Sequence, residues 1–420
     1  MNHTVLQPNW LALLPFVLLL TTVALAPLCF ADWWGRHYPK VSFALAAVVV
    51  LYYCLGLRAT DTALNTAKEY FSFIALIGSL FVVSGGIHIR VKGEATPLVN
   101  TLFLLVGAVL ANLLGTTGAS MLLIRPWLLM NKYRVTAHHV VFFIFIVSNV
   151  GGCLTPIGDP PLFLGYLSGV PFWWVAQNCW PLWLAGVGVL LAMFFVVDRR
   201  NFRRAPAGVR QKETAQEHWH FDGMANLLFL AVILGAVFVN HPPFVRELLM
   251  VGAAAGSYFT TKKTVHEANH FNFHPVKEVA ILFLGIFGTM MPALDWLAAN
   301  AGHLGGATPA FFYFGSGALS SVLDNAPTYL SFLSALFGVA GSHDMTLLLT
   351  QHPAAILAIS AGSVFFGANT YIGNGPNFMV KAIADQQKVH TPGFLGYILR
   401  FTLPFMLPML LLVWWLFFRG

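Results

Sequence analysis

A short motif, TPIGDPPLF (155–163), returns as TYIGNGPNF (370–378) inside sequence apolar enough for a lipid bilayer. Thr, Ile, Gly, Pro and Phe recur at the same spacing, and Asp159 is exchanged for Asn374. Lipid offers no partner to a free amide or carbonyl, so every backbone group must be satisfied inside the protein. Glycine and proline breaks beside a carboxylate therefore belong where the backbone is buried in protein or lines a cavity. A pair of such breaks, one in each half of a chain, points to the substrate site of a secondary transporter.

Only 9% of the 420 residues are charged and 57% are hydrophobic, whereas a soluble domain carries about 25% charged residues. The fold class expected is an all-α polytopic membrane protein with no separate soluble domain. The net charge of +7 lies in loops and does not imply nucleic acid. Cys29, Cys54, Cys153 and Cys179 form no CxxC pair, so they read as small packing residues rather than a disulfide or zinc framework. The run 10–30 reads as a first span, not a signal peptide, because no Lys or Arg precedes it and it is long for such a core.

Runs near 20 residues predict spans at 10–30, 41–57, 70–88, 139–163, 173–197, 224–240, 245–261, 278–297, 351–380 and 395–418. The runs 139–163 and 351–380 carry the breaks. Two further stretches, 98–130 and 306–338, have polar centres, GTTG (115–118) and DNAP (324–327). Each reads as a re-entrant helical hairpin, the alternative being two ordinary spans joined by a polar turn. With hairpins, the 23 Lys and Arg separate, and only Arg58, Lys68, Arg246 and Arg419 fall on the less basic side. The basic side is then cytoplasmic.

Three blocks recur in order. KEYFSFIALIGSLF (68–81) pairs with KEVAILFLGIFGTMM (277–291), ANLLGTTGASMLL (111–123) with SSVLDNAPTYLSF (320–332), and the Gly-Pro motif closes each set. Because the copies begin on opposite sides of the membrane, they read as an inverted-topology repeat with two re-entrant hairpins and two broken transmembrane helices. The expected domains are N-terminal helices (1–67), a first repeat (68–197), a cytoplasmic loop with linking helices (198–276), and a second repeat with a C-terminal helix (277–420).

SNVGGCLTPIGDPP (148–161) and SSVLDNAPTYL (320–330) resemble motifs of the ion transporter superfamily, which includes NhaD-type sodium/proton antiporters, arsenite efflux pumps and citrate and dicarboxylate carriers. The likeness covers about 68–418. A carboxylate next to proline in GDPP and DNAP is most similar to the antiporter branch. The carboxylate carriers carry Ser-Asn-Thr at their hairpin tips, where this chain has Gly115-Thr116-Thr117 and Asp324-Asn325-Ala326. The resemblance implies an elevator-like alternating-access fold, often a homodimer.

Asp159 and Asp324 are the carboxylates deepest in apolar sequence, and an intramembrane acid is a functional candidate by default. Thr116, Thr117, Asn325 and Asn374 would add oxygen ligands of the kind a hard cation takes, with Thr155, Thr370, Asn149 and Asn369 as second contributors. The other reading of each Asn or Thr is a helix-to-helix hydrogen bond, and of each aspartate a helix cap. Gly158, Pro160, Pro161, Gly373, Gly375, Pro376 and Pro327 would shape the breaks. A buried carboxylate can be neutralised by a proton or by sodium, not both at once, so competition would drive exchange. The expectation is a sodium/proton antiporter of the plasma (inner) membrane, with no cofactor, no enzymatic activity, and lipid and small ions as partners. An oxyanion (arsenite) or di- or tricarboxylate transporter of the same fold is the alternative.

HEANH (266–270) matches the HExxH zinc-protease pattern, and His274 continues the spacing of His266 and His270. It lies in a loop between spans, whereas an intramembrane protease would carry it within an apolar helix. A pH- or metal-sensing cluster and a solvated loop are its other readings. No GxxxxGK[ST] occurs, so the sequence offers no phosphate-binding loop.

Overall fold

The computed structural model describes residues 7–90, 95–204, 220–239, 241–303 and 308–419. Lys92, Arg210, Lys212, His218, Trp219 and the first two residues of the expected hairpin 306–338 lie outside the described residues. The chain is an all-α polytopic membrane protein. Eight of its helices are long and apolar enough to cross a bilayer among the described residues.

α1 (Leu14–Cys29) turns at Phe30 directly into α2 (Ala31–Leu51). The second span thus begins at residue 31 rather than 41. The polar stretch Trp33 to Lys40 is helical, and aromatic neighbours one turn apart line it, Trp33 stacked on His37 at 5.1 Å and Trp34 tilted against Tyr38 at 6.1 Å. Residues of this kind populate a helix end at the headgroup level, which a hydropathy window reads as a loop.

α3 (Thr60–Gly85) leads to a short strand, β1 (His88–Arg90), and then α4 (Pro97–Met130). α4 is two arms joined at Gly115, whose φ of 72° no helix contains. Asn100 and Asn131, near the two ends, exchange hydrogen bonds of 2.8 and 3.2 Å. The chain therefore leaves where it entered, and 98–130 is a hairpin. α5 (Ala137–Ile146), a 3-10 turn (Val150–Leu154) and α6 (Pro160–Leu167) make the first broken helix. α5 is buried on every side from His138 to Ile146, as an apolar helix at the centre of a bundle should be.

α7 (Phe172–Arg204) is followed by β2 (His220–Asp222) and by α8 (Asn226–Ala236) and α9 (Val245–Thr260). These last two have 11 and 16 residues, shorter than the roughly 17–25 that cross a bilayer. The spans expected at 224–240 and 245–261 are therefore short helices, because Gly, Pro and His residues at 235–243 end the first early. β1 and β2 pair antiparallel, His88 opposite Asp222, the one sheet among the described residues of an otherwise helical chain. Asn226 donates to Gly86 O at 2.7 Å, and Asn269 to Gly85 O and Ile87 O at 2.8 Å each. Three loops read as cytoplasmic thus gather in one place.

α10 (Lys263–Ala268) and α11 (His274–Asn300) precede the second hairpin, formed by α12 (Pro309–Ser320) and α13 (Asn325–Ala340). Its arms lie side by side, with the Phe311 and Phe332 rings 6.4 Å apart. α14 (Met345–Gln351) bends away from α13 by 80°. α15 (Pro353–Phe366), a 3-10 turn (Gly367–Asn369) and α16 (Gly375–Gln386) are the second broken helix. α17 (Phe394–Tyr397) runs through a π-helical stretch into α18 (Leu407–Phe417).

Candidate functional site

The two breaks interlock at the centre of the molecule. Gly158 lies so close to Gly152 that a Cβ would meet its carbonyl oxygen at 2.1 Å, and a Cβ on Gly373 would meet Gly367 O at 2.5 Å. Each break also holds its own hairpin. Thr155 Oγ1 donates to Asn112 O at 2.7 Å, and Thr370 Oγ1 to Ser321 O at 2.6 Å. Both threonines accept the amide N–H three residues on, from Gly158 and Gly373, at 3.2 and 3.1 Å. The recurring motifs therefore build recurring backbone geometry.

Asp159 and Asn374 occupy the N-cap positions of α6 and α16, yet neither side chain caps its helix. Pro160 and Pro161 supply no N–H to cap, as does Pro376, which leaves both side chains free to turn into the protein. Asp159 is fully buried. Its Oδ1 accepts from Thr116 Oγ1 at 2.6 Å and Asn374 Nδ2 at 3.3 Å, and its Oδ2 from Asn325 Nδ2 at 2.8 Å. One carboxylate is thus touched by both hairpin tips and by the opposite break. No Lys, Arg or His pairs with it among the described residues. A buried charge without a counter-charge is costly, so the site favours a proton or a bound cation on Asp159.

Asn149 extends the cluster, accepting from Asn374 Nδ2 at 3.1 Å and donating to Asn377 Oδ1 at 2.7 Å. Asn377 in turn donates to Gly367 O and Thr370 O at 2.8 and 2.9 Å, satisfying carbonyls that the break leaves free. Neither Asn377 nor Ser148, whose carbonyl accepts from Asn374, stood out in the sequence. The counterpart of Asn377 in the first motif is Leu162, so motif symmetry hides it.

The remaining candidates take other places. Asp324 is half-buried and caps α13 through Ala326 N at 3.1 Å. Pro327 lies within the first turn of that helix. Thr117 lines a small cavity of about 20 Å³ beside Asp159 and Pro160, room for about one water-sized sphere. Asn369 Nδ2 donates to Ser321 Oγ at 2.9 Å, and its Oδ1 is buried without a partner. Thr155, Thr370 and Asn369 therefore hold hairpin to break, whereas Thr116, Asn325, Asn374 and Asn149 converge on or next to Asp159. Gly375, unlike Gly158 and Gly373, has open space around its Cα.

A second polar cluster lies at the basic ends of α4, α5 and α7. Asp198, buried, is held by both terminal nitrogens of Arg134, by His138 and His139 Nε2 at 3.2 and 3.1 Å, and by Asn100 Nδ2 at 3.0 Å. His138, His139 and Asp198 form the one group of three metal-capable side chains with closely spaced donors among the described residues. The Arg134 guanidinium already neutralises the carboxylate, so the arrangement is a clasp between three elements. In HEANH the helix ends at Ala268 and His270 has a φ of 48°. His266 and His270 therefore do not share one helix face, and His274 begins the next helix.

Residues 5–418 match the model of a family described as "Putative citrate transport". No curated protein matches the chain.

Proposed function

The chain belongs to this citrate-transport family, and on that premise we propose that it is a cation-coupled transporter of a polycarboxylate, with Asp159 as the exchangeable cation site, in the plasma membrane. That it is a secondary transporter follows from the family. The cation site rests on one observation: a fully buried carboxylate held only by neutral side chains, two from hairpin tips and one from the opposite break. Sodium or a proton would neutralise it. Thr116 Oγ1 can serve sodium as an oxygen ligand. Asn325 can do so by turning its amide over, since the Ser320 hydroxyl that donates to its Oδ1 at 2.7 Å can equally accept. Because both hairpin tips touch Asp159, its occupancy bears on both halves together. That is the property alternating access requires of a coupling site.

A second reading, sodium/proton exchange without an organic substrate, is favoured by the absence of any Lys or Arg among the described residues that bond to the cluster. Proteoliposomes separate the two. Labelled citrate should accumulate when sodium or protons are driven inward, and should not when both gradients are collapsed. Sodium-dependent relaxation of a pH gradient without citrate, together with no citrate uptake, would instead favour the exchanger. Arsenite efflux is the further arm if neither occurs.

A further inference from the structure

Three small cavities follow one another between α3, the second arm of α4 and the start of α11. The first lies beside Asp159, the second holds about 10 Å³, and the third about 20 Å³. The first and second share Ile77 and Thr117 as walls, and the second and third share Phe81 and Pro275. The series therefore runs from Asp159 to the gathered loops of the basic side. None is wide enough for an organic anion, so in this conformation the route is shut. Phe81 and Phe271, with rings 5.6 Å apart, stand together at its outer cavity.

Arg125 lines that outer cavity with Ser84, Asn269, His270 and Asn272. It sits on the second arm of the hairpin, ten residues past Gly115, and is half-buried. Unlike Arg134 or Arg246, it makes no hydrogen bond or ion pair, and no carboxylate lines its cavity, among the described residues. An arginine in a membrane segment is expensive and is ordinarily paired. Its planar fork of donors matches a carboxylate through two parallel bonds.

We propose that Arg125 is the docking point for a carboxylate group of the transported anion on the basic, cytoplasmic side of the route, an entry station separate from Asp159. The proposal rests on the polycarboxylate reading for the identity of the anion. It supplies what the central cluster lacks, a fixed positive charge for an anion. A carboxylate held here lies at the closed end of the route and is passed inward when Phe81 and Phe271 part.

The test is thiol labelling of Met121→Cys, whose side chain lines the same cavity, in a chain carrying Cys29→Ser and Cys54→Ser. Citrate should slow maleimide labelling at least about fivefold, Arg125→Gln should remove that protection, and Arg125→Lys should keep part of it. Arg125→Gln should also raise the KM for citrate offered from the cytoplasmic face on the order of tenfold, with the KM from the other face unchanged. Equal protection with Arg125→Gln, or none in the parent chain, overturns the proposal. Arg125-dependent protection in a protein that moves no citrate would uphold the anion station and sink the transport reading. A monodisperse elution profile for both Arg125 variants separates loss of the station from misfolding.

Discussion

In the first half, Thr155 ties the break to its hairpin at 2.7 Å, and Gly158 packs on Gly152. In the second half, Thr370 and Gly373 make the same contacts with Ser321 and Gly367. The threonine and glycine contacts of the break recur in both halves, yet the side chain aimed into the centre is Asp159 in one half and Asn374 in the other. Likewise the tips present Thr116 and Asn325 to the same carboxylate. A duplicated scaffold thus encloses one unduplicated charge. The shared parts answer the problem of breaking a helix in lipid, and the unshared part carries the chemistry.

The comparison is broken most severely by Asp159→Asn. We expect net transport to fall to the level of protein-free liposomes while the protein elutes and melts as a folded species. Retained transport would show that the charge difference between the halves is incidental. Asn374→Asp would restore symmetry by placing a second carboxylate at the 3.3 Å contact with the first. Two like charges there cannot both stay ionised without cations, so the cation dependence of uptake should steepen and its midpoint move about tenfold. An unchanged titration would place residue 374 outside the coupling site.

The shared scaffold predicts equal damage in the two halves. Gly158→Ala and Gly373→Ala drive a Cβ into backbone carbonyls and should each destabilise by about 1–3 kcal/mol, read as a lowered Tm. If only one lowers it, the packing is not duplicated. The smallest effect belongs to Asp324→Asn. Asn caps a helix about as well as Asp, so stability should change by less than about 0.5 kcal/mol, and uptake should fall far less than with Asp159→Asn. Loss as complete as that of Asp159→Asn would mean that the half-buried cap is also an ion site.

Gly, Pro and an acid in apolar sequence are legible because lipid forbids unsatisfied backbone, so both breaks and both hairpins show in the sequence. The membrane fold followed from composition. What the sequence concealed were side-chain directions. GDPP and DNAP look alike on paper. In the molecule, the prolines after Asp159 deny it a cap and turn it inward, whereas Ala326, two residues after Asp324, supplies an N–H that keeps it at its own helix end. Asn377 is hidden because it answers carbonyls exposed by the fold, and Ser148 because it contributes its own backbone carbonyl, which no motif marks. The clasp around Asp198 joins residues 100, 134, 138, 139 and 198, a meeting that only the tertiary packing creates. Arg125 counts in the sequence only as one more cation of the basic side, because hydropathy does not show whether a guanidinium has a partner.

Competition between a proton and sodium for Asp159 is read by adding sodium to the purified protein in weakly buffered detergent solution and following proton release with a pH dye. Release of up to about one proton per chain is expected, abolished by Asp159→Asn and preserved by Asp324→Asn. Undiminished release from the Asp159→Asn protein would contradict that competition.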